Sequence, residues 1–226
     1  MTSLVPLLAA VAGYLVGSLS FAVIVSRVLR LDDPRTYGSG NPGATNVLRS
    51  GSKFAAIVTL VLDTVKGLLP VLAARWIATR LGLSADAVLW SAALAGLGAF
   101  VGHLWPLWFR FRGGKGVATA AGVLLGLNPW LGLATLATWL IIAAFFRYSS
   151  LASLVAAAFA PFYQLLIWGA GPAIVTIVVL SLLLVWRHAA NVSRLLAGTE
   201  SRLGGRPGAK SAPPAAGKRK GRGRTD

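Results

Sequence analysis

Cysteine is absent from this 226-residue chain, and acidic residues are scarce, since six Asp and Glu stand against 22 Lys and Arg. Without cysteine the protein has no disulfides, iron–sulfur clusters, zinc–thiolate sites or thiol nucleophile. No basic residue precedes the first apolar run. We therefore expect no cleaved signal peptide and predict that this run is retained as a membrane span.

Charged residues of either sign make up only 12% of the chain, whereas hydrophobic residues make up 56% and the mean hydropathy is +0.71. This composition predicts an all-α polytopic membrane protein. The apolar runs cover residues 4–29, 54–79, 85–102, 117–127, 130–146, 151–168 and 171–187. We expect seven transmembrane helices, although 117–127 is short against the roughly 20 residues of a straight span and could merge with the next run.

The basic residues predict the orientation of the spans. With seven spans and the N-terminus outside, all but three of the 22 basic residues lie at the cytoplasmic ends of the spans or in the cytoplasmic segments. The exceptions are Lys66, which lies within a span, and Arg75 and Arg80, which lie on the outer side. Merging two runs would put the basic C-terminus outside, against the positive-inside rule. The charge pattern therefore predicts a cytoplasmic C-terminus and separate helices at 117–127 and 130–146.

Two glycine-rich loops stand between the apolar runs, at residues 38–46 and 111–119. Glycines flanked by Ser, Thr, Asn, Arg and Lys allow backbone N–H groups to converge on an anion while the cations supply charge. The second loop is not a Walker A motif, because Gly116 follows Lys115 where a magnesium-binding Ser or Thr should stand. The alternative is that these glycines only shape turns and the basic residues only follow the positive-inside rule.

Both loops and a third polar segment, residues 187–200, are predicted to emerge on the cytoplasmic side. One convergent site is then possible, rich in donors and poor in carboxylates, which suits an anionic substrate with one or two phosphates. Its candidate side chains are Ser39, Asn41, Thr45, Asn46, Arg49, Lys115, Asn191 and Arg194.

Four further polar residues lie in or near the apolar runs. Asp63 and Lys66 are three residues apart on one face of a helix, where we expect a buried structural ion pair rather than direct chemistry. His103 and His188 are candidate site residues, but a lone histidine near a helix end is more often structural.

The last segment, residues 205–226, is composed mainly of Gly, Pro, Ala, Lys and Arg. We expect a disordered basic cytoplasmic tail, separate from a membrane domain at residues 1–204. The basic residues of this tail would attract anionic lipid. The alternative is that the tail is only a solvated segment that follows the positive-inside rule. Nucleic-acid binding is disfavoured because no interleaved aromatic residues accompany the charge.

The order of the polar motifs resembles a known family. The motifs are Gly-Ser-Gly-Asn-Pro-Gly-Ala-Thr-Asn at 38–46, Asp63 with Lys66, Gly-His103, Phe-Arg-Gly-Gly-Lys-Gly-Val-Ala-Thr at 111–119, and Arg187-His188 with Asn191, Arg194 and Glu200. From about residue 10 to 200 the chain is similar to the bacterial acyl-phosphate:glycerol-3-phosphate acyltransferases.

The resemblance implies a seven-helix enzyme of the bacterial inner membrane. It would transfer an acyl group from acyl phosphate to the sn-1 hydroxyl of glycerol 3-phosphate, giving lysophosphatidic acid and phosphate, without a cofactor or metal. It assigns catalysis to Ser39, Arg49, Lys115 and Asn191. The remaining substrate-binding candidates are Gly38, Gly40, Asn41, Gly43, Thr45, Asn46, His103, Gly113, Gly114, Gly116, Thr119, His188 and Arg194.

Two other functions remain open on the sequence. A transporter for an organic phosphate would use similar basic loops, but it would usually place its binding groups near the midplane within repeated halves, and no repeat is visible. A non-enzymatic scaffold that binds anionic lipid through its tail would leave the two glycine loops unexplained.

Overall fold

The computed structural model describes residues 4–204, and every regular element within that range is a helix. The helices are α1 (Val5–Gly17), α2 (Phe21–Val28), α3 (Ala44–Val47), α4 (Lys53–Arg80), α5 (Ala85–Leu104), α6 (Val117–Leu127), α7 (Pro129–Phe146), α8 (Ser149–Tyr163), α9 (Pro172–Arg187) and α10 (Ala189–Leu196). A π-helical turn, Gln164–Trp168, extends α8. The expected basic tail at 205–226 lies outside the described residues.

Within residues 4–204, five helical stretches are long and apolar enough to cross a membrane: Val5–Val28, Lys53–Arg80, Ala85–Phe109, Pro129–Phe146 and Ser149–Trp168. A sixth is possible if α9 and α10, which are bent by 56° at His188, form one broken span. The seventh expected segment, α6, has only 11 residues. The all-helical membrane architecture is therefore confirmed for the described residues, whereas the seven spans stay a prediction.

The short helix α6 is separate from α7, as the charge pattern predicted. Asn128 caps α7 by accepting hydrogen bonds from the N–H groups of Trp130 and Leu131, and Pro129 occupies the first turn. The guanidinium of Arg75 donates to the Leu127 carbonyl at 3.0 Å. This arginine satisfies one of the carbonyls that the end of α6 would otherwise leave unpaired.

Glycines allow the helices that carry the polar loops to touch backbone to backbone. A Cβ added at Gly17 of α1 would lie 2.0 Å from the Ala99 carbonyl oxygen of α5. A Cβ at Gly122 of α6 would lie 1.9 Å from the Thr64 carbonyl oxygen of α4. Close approach at small residues is a common way to pack membrane helices. It holds the start of α6, and with it the second glycine loop, against α4.

The predicted ion pair is present inside this packing. Lys66 Nζ lies 2.7 Å from Asp63 Oδ1, and both residues are 2% exposed. The same ammonium donates to the Leu19 carbonyl at 2.7 Å. Leu19 lies in the break between α1 and α2, so the pair ties that break to α4.

Candidate active site

The first glycine loop is organised around the side chain of Asn46, which is 2% exposed. Its amide group donates to the carbonyls of Pro34 at 2.6 Å and Tyr37 at 3.1 Å. Its oxygen accepts from the Ser39 N–H at 3.0 Å and from Arg49 Nη1 at 3.2 Å. Asn46, a predicted substrate-binding residue, is thus fully engaged in shaping the loop and in placing Ser39 and Arg49.

The glycines of this loop do not all present free N–H groups. Gly40 donates to the Tyr37 carbonyl at 2.9 Å, and Gly43 donates to the Asn41 carbonyl at 3.0 Å. Gly38 has a φ of +60°, and a Cβ there would lie 2.3 Å from the Asn46 side-chain oxygen. Internal carbonyls therefore accept the hydrogen bonds of the Gly40 and Gly43 N–H groups in this structure, and the contact of these glycines with a substrate stays a prediction.

The second glycine loop folds back over the end of α5. Gly114 donates its N–H to the His103 carbonyl at 3.1 Å, so this group is also unavailable to a ligand. A Cβ at Gly113 would lie 2.1 Å from that carbonyl oxygen, and one at Gly114 would lie 2.3 Å from His103 Nε2. Gly116 has a φ of +82°, and a Cβ there would lie 2.2 Å from the Phe100 ring. Glycine is needed at these positions for close packing as well as for any contact with an anion.

Arg187, at the end of α9, fixes this loop from the other side. Its Nε donates to the Gly114 carbonyl at 3.1 Å and its Nη2 to the Gly113 carbonyl at 3.0 Å. The charge of the guanidinium is not neutralised by these neutral acceptors. The contact therefore both holds the loop and leaves a positive charge beside it.

Lys115 extends from the loop into a hydrogen-bond network with α10. Its ammonium donates to the side-chain oxygen of Asn191. The Asn191 amide nitrogen donates to Glu200 Oε1 at 2.6 Å, and Ser150 donates to the same oxygen at 2.7 Å. Arg194 Nε donates to Glu200 Oε2 at 2.7 Å. The network places Lys115, Asn191 and Arg194 together, as predicted.

The first loop joins this network through Arg49. Arg49 Nη2 donates to the Ser201 hydroxyl at 2.7 Å, one residue beyond Glu200. The Thr45 hydroxyl lies 3.5 Å from the hydroxyl of Ser149, at the start of α8. The three polar segments therefore meet at one end of the bundle. The exposed Ser39 hydroxyl has no hydrogen-bond partner within residues 4–204, and neither has the partly exposed Asn41 side chain.

Three predicted substrate-binding residues are buried beneath the loops. Thr119 is fully buried, and its hydroxyl lies 3.1 Å from Nδ1 of His103, which is 6% exposed. His188 is 2% exposed, and its Nδ1 lies 2.8 Å from the Leu184 carbonyl oxygen. In this structure these residues support the loops and the bend between α9 and α10, and do not face open space.

Burial and neighbouring charges set the ionisation of the network. Burial lowers the pKa of Lys115 to about 8; the Glu200 carboxylate opposes the shift and nearby arginines add to it. Burial alone would raise the pKa of Glu200, but hydrogen bonds from Ser150, Asn191 and Arg194 keep that pKa below its usual value. At neutral pH the site thus combines a protonated Lys115 with an ionised Glu200.

Sequence reasoning missed Arg187 and Glu200 as parts of this site. Both lie in the third polar segment, and Glu200 is its only carboxylate. A lone carboxylate among cations could have been recognised as their organising partner. Ser150 and Ser201 carry no comparable signal, because isolated serines are common. Among residues 4–204, no three His, Asp or Glu side chains are grouped as metal ligands.

Comparison with known proteins extends these observations. The family model described as glycerol-3-phosphate acyltransferase matches residues 7–198. A protein of that name from Ralstonia nicotianae is 63% identical over 195 residues, covering 86% of this chain and 92% of its own length. Another from Albidiferax ferrireducens is 61% identical over 211 residues, covering 90% and 92%.

Solved structures agree with these relatives. The chain is similar to the crystal structure of PlsY (YgiH), an integral membrane glycerol 3-phosphate acyltransferase, in its glycerol 3-phosphate form. The TM-score is 0.79 and the identity 35%, with 88% of this chain and 96% of that chain covered. The lysophosphatidic acid form gives a TM-score of 0.77 at 34% identity, with 88% and 95% covered. By sequence and by fold, this chain is a member of the glycerol-3-phosphate acyltransferase family.

Proposed function

We propose that this protein transfers a fatty acyl group from acyl phosphate to the sn-1 hydroxyl of glycerol 3-phosphate. The observation that carries the proposal is the meeting of both glycine loops and the 187–201 segment around Lys115. That arrangement concentrates cations and hydrogen-bond donors where two phosphates would have to be held together. Family membership supports the acceptor, and the crystal forms of PlsY contain glycerol 3-phosphate and lysophosphatidic acid.

The reaction requires little from the protein beyond binding and electrostatics, because acyl phosphate is already activated. The acceptor hydroxyl oxygen attacks the acyl carbon, the bond from that carbon to the phosphate oxygen breaks, and phosphate leaves. The hydroxyl proton passes to a substrate phosphate oxygen, since the second pKa of a phosphate monoester is about 6. Orientation of the two substrates then contributes several kcal/mol.

Four side chains are proposed to contact the reacting groups: Ser39, Arg49, Lys115 and Asn191. Glu200 only accepts hydrogen bonds, so it fixes the Asn191 amide with its nitrogen toward Glu200 and its oxygen toward Lys115. The Lys115 ammonium has three donors, of which Asn191 takes one. The others are available for a phosphate or for the oxyanion that forms in the transition state.

The direct test is an assay of purified protein with radiolabelled glycerol 3-phosphate and acyl phosphate. Labelled lysophosphatidic acid should form together with an equal amount of phosphate. A phosphate transporter would move label across a vesicle membrane without forming lipid, and that outcome would reject the proposal.

We also propose that the site faces the cytoplasm of a bacterial inner-membrane protein with seven spans, the N-terminus outside and residues 1–204 as the acyltransferase unit. The 28 residues of α4 rise by about 42 Å, so the turn at 82–84 lies at the opposite end of the bundle from the first glycine loop. Most basic residues would then lie on the cytoplasmic side.

Single cysteines introduced into this cysteine-free chain test the orientation. An impermeant thiol reagent added to intact cells should label Ser84→Cys and should not label Ser50→Cys or Thr199→Cys. All three should be labelled after permeabilisation. Labelling of Ser50→Cys or Thr199→Cys in intact cells would invert the topology.

The pKa of Lys115 predicts an alkaline limit to activity. Burial favours the neutral amine, so the ammonium loses its proton near pH 8 rather than near pH 10. We expect kcat/KM, which reports the free enzyme, to fall as pH rises through about 8. In Lys115→Arg the residual activity should lose this alkaline limb, because a guanidinium stays charged. An unchanged limb in that variant would assign the titration to another group.

A further inference from the structure

The turn between α7 and α8 lies at a membrane surface. Both helices belong to stretches that are long and apolar enough to cross a membrane, and only Arg147 and Tyr148 connect them. The 18 residues of α7 rise by about 27 Å, close to the roughly 30 Å of the hydrocarbon core. Phe145 and Phe146, at the end of α7, are 78% and 53% exposed. Exposed apolar rings at the end of a span contact lipid, so the turn that follows lies level with the lipid headgroups.

The segment at residues 200–204 packs along this turn, and two arginines fasten it there. Leu203 donates its N–H to the Arg147 carbonyl at 2.6 Å, and Arg147 Nη2 donates to the Leu203 carbonyl at 3.0 Å. Beside them, Arg202 Nε donates to the Tyr148 hydroxyl at 3.1 Å, and its guanidinium carbon lies 5.4 Å from the centre of the Tyr148 ring. The paired segments therefore hold Arg147 and Arg202 on one small surface.

Both guanidinium groups keep N–H donors for a ligand. Within residues 4–204, Nε and Nη1 of Arg147 have no acceptor, and neither have the two terminal nitrogens of Arg202. Neither arginine forms an ion pair with these residues. Glu200, the carboxylate closest to Arg202 in the sequence, already accepts three hydrogen bonds from other side chains. Two fixed positive charges thus lie at headgroup level with donors to spare.

We propose that Arg147 and Arg202 bind the phosphate of an anionic phospholipid headgroup from the surrounding leaflet. Guanidinium groups bind phosphate oxygens through paired hydrogen bonds. The protein holds both groups in place before the lipid binds, which lowers the entropic cost of binding. Neither arginine hydrogen-bonds to a glycine loop or to Lys115, so this site is separate from the one proposed for acyl transfer.

The bound lipid stabilises a segment that the active-site network needs. Glu200 accepts hydrogen bonds from Asn191 of that network, and Ser201 accepts one from Arg49. Both residues immediately precede Arg202. A headgroup held by Arg147 and Arg202 bridges the segment to the α7–α8 turn, and it therefore favours the arrangement in which Glu200 and Ser201 reach their partners.

Native mass spectrometry of the full-length, detergent-solubilised protein measures the binding. Phosphatidylglycerol and phosphatidylcholine with identical acyl chains would be titrated separately, and the wild type should retain phosphatidylglycerol more tightly. Arg147→Gln/Arg202→Gln should weaken the retention of phosphatidylglycerol about tenfold or more, because hydrogen bonds to a charged group are lost. Unchanged retention of phosphatidylcholine shows that this variant is folded.

The matched control is Arg27→Gln/Arg30→Gln, which removes the same number of charges. These exposed arginines lie at and just beyond the end of α2, and their side chains make no hydrogen bond within residues 4–204. They act on a headgroup only through screened solvent, so the affinity for phosphatidylglycerol should change by less than about twofold. Equal losses in the two double variants, or equal retention of the two lipids by the wild type, would overturn the proposal.

Hydrogen exchange in lipid nanodiscs tests the effect on the 200–204 segment. Adding phosphatidylglycerol to phosphatidylcholine discs should slow exchange of the amides at 201–204 in the wild type and in Arg27→Gln/Arg30→Gln. It should leave their exchange unchanged in Arg147→Gln/Arg202→Gln. Exchange in the wild type that does not respond to phosphatidylglycerol would overturn the stabilising role of the lipid. Neither readout involves turnover, so this proposal and the proposed acyl transfer can fail independently.

Discussion

Lys115→Ala is expected to lower kcat/KM by about 10²- to 10³-fold while the protein still inserts and folds. The ammonium is the cation that joins the second glycine loop to α10 through Asn191. Its remaining N–H donors can stabilise the negative charge that develops first on the attacked carbonyl oxygen and then on the leaving phosphate. Losing one donor directed at a developing oxyanion has a cost of this size in other enzymes. Initial rates of lysophosphatidic acid formation measure the effect.

The matched control is Lys53→Ala. Lys53 is an exposed lysine at the start of α4 and makes no ion pair within residues 4–204. It should keep near-normal activity, and both variants should unfold at temperatures close to that of the wild type in detergent. Near-normal turnover in Lys115→Ala would remove this residue from the catalytic set.

Ser39→Ala is expected to lower kcat/KM by a similar factor of about 10² or more. The backbone N–H of Ser39 is held by Asn46, whereas its hydroxyl is exposed and unpartnered within the described residues. A side chain fixed by its backbone but free at its hydroxyl is suited to donate to a substrate oxygen. The substitution leaves the hydrogen bond to Asn46 intact, so the loop should keep its shape.

Ser193→Ala serves as the control for this variant. Ser193 is exposed on α10, and its hydroxyl donates only to the Ala189 carbonyl of the same helix. Activity should be close to wild type in the control. If Ser39→Ala were equally active, the hydroxyl would have no part in the reaction and the role of the loop would rest on Arg49.

Much of this architecture could be predicted from sequence. Charge parity predicted that α6 and α7 are separate, and the spacing of Asp63 and Lys66 predicted their ion pair; the structure confirms both. These predictions succeed because hydropathy and helical spacing are local properties. The break between α1 and α2 was not predicted, because residues 18–20, where the helix breaks, contain no proline or charge within the apolar run at 4–29.

The partners within the site were harder to predict. Topology could bring three segments to one side, but it could not show that Arg187 would hold Gly113 and Gly114, which lie 74 and 73 residues earlier. Such contacts depend on the direction and spacing of packed helices. The role of the loop glycines was also ambiguous in the sequence. Glycine is required both where the backbone approaches an anion and where it packs against a carbonyl group.

Rapid-quench analysis of a single turnover is the most direct test of direct acyl transfer from acyl phosphate within the site around Lys115. Enzyme in excess would be mixed with acyl phosphate labelled in the acyl chain and with glycerol 3-phosphate. Lysophosphatidic acid and phosphate should then appear at the same rate, with no labelled protein at any time. An acyl-Ser39 ester that forms and decays fast enough to account for turnover would contradict direct transfer.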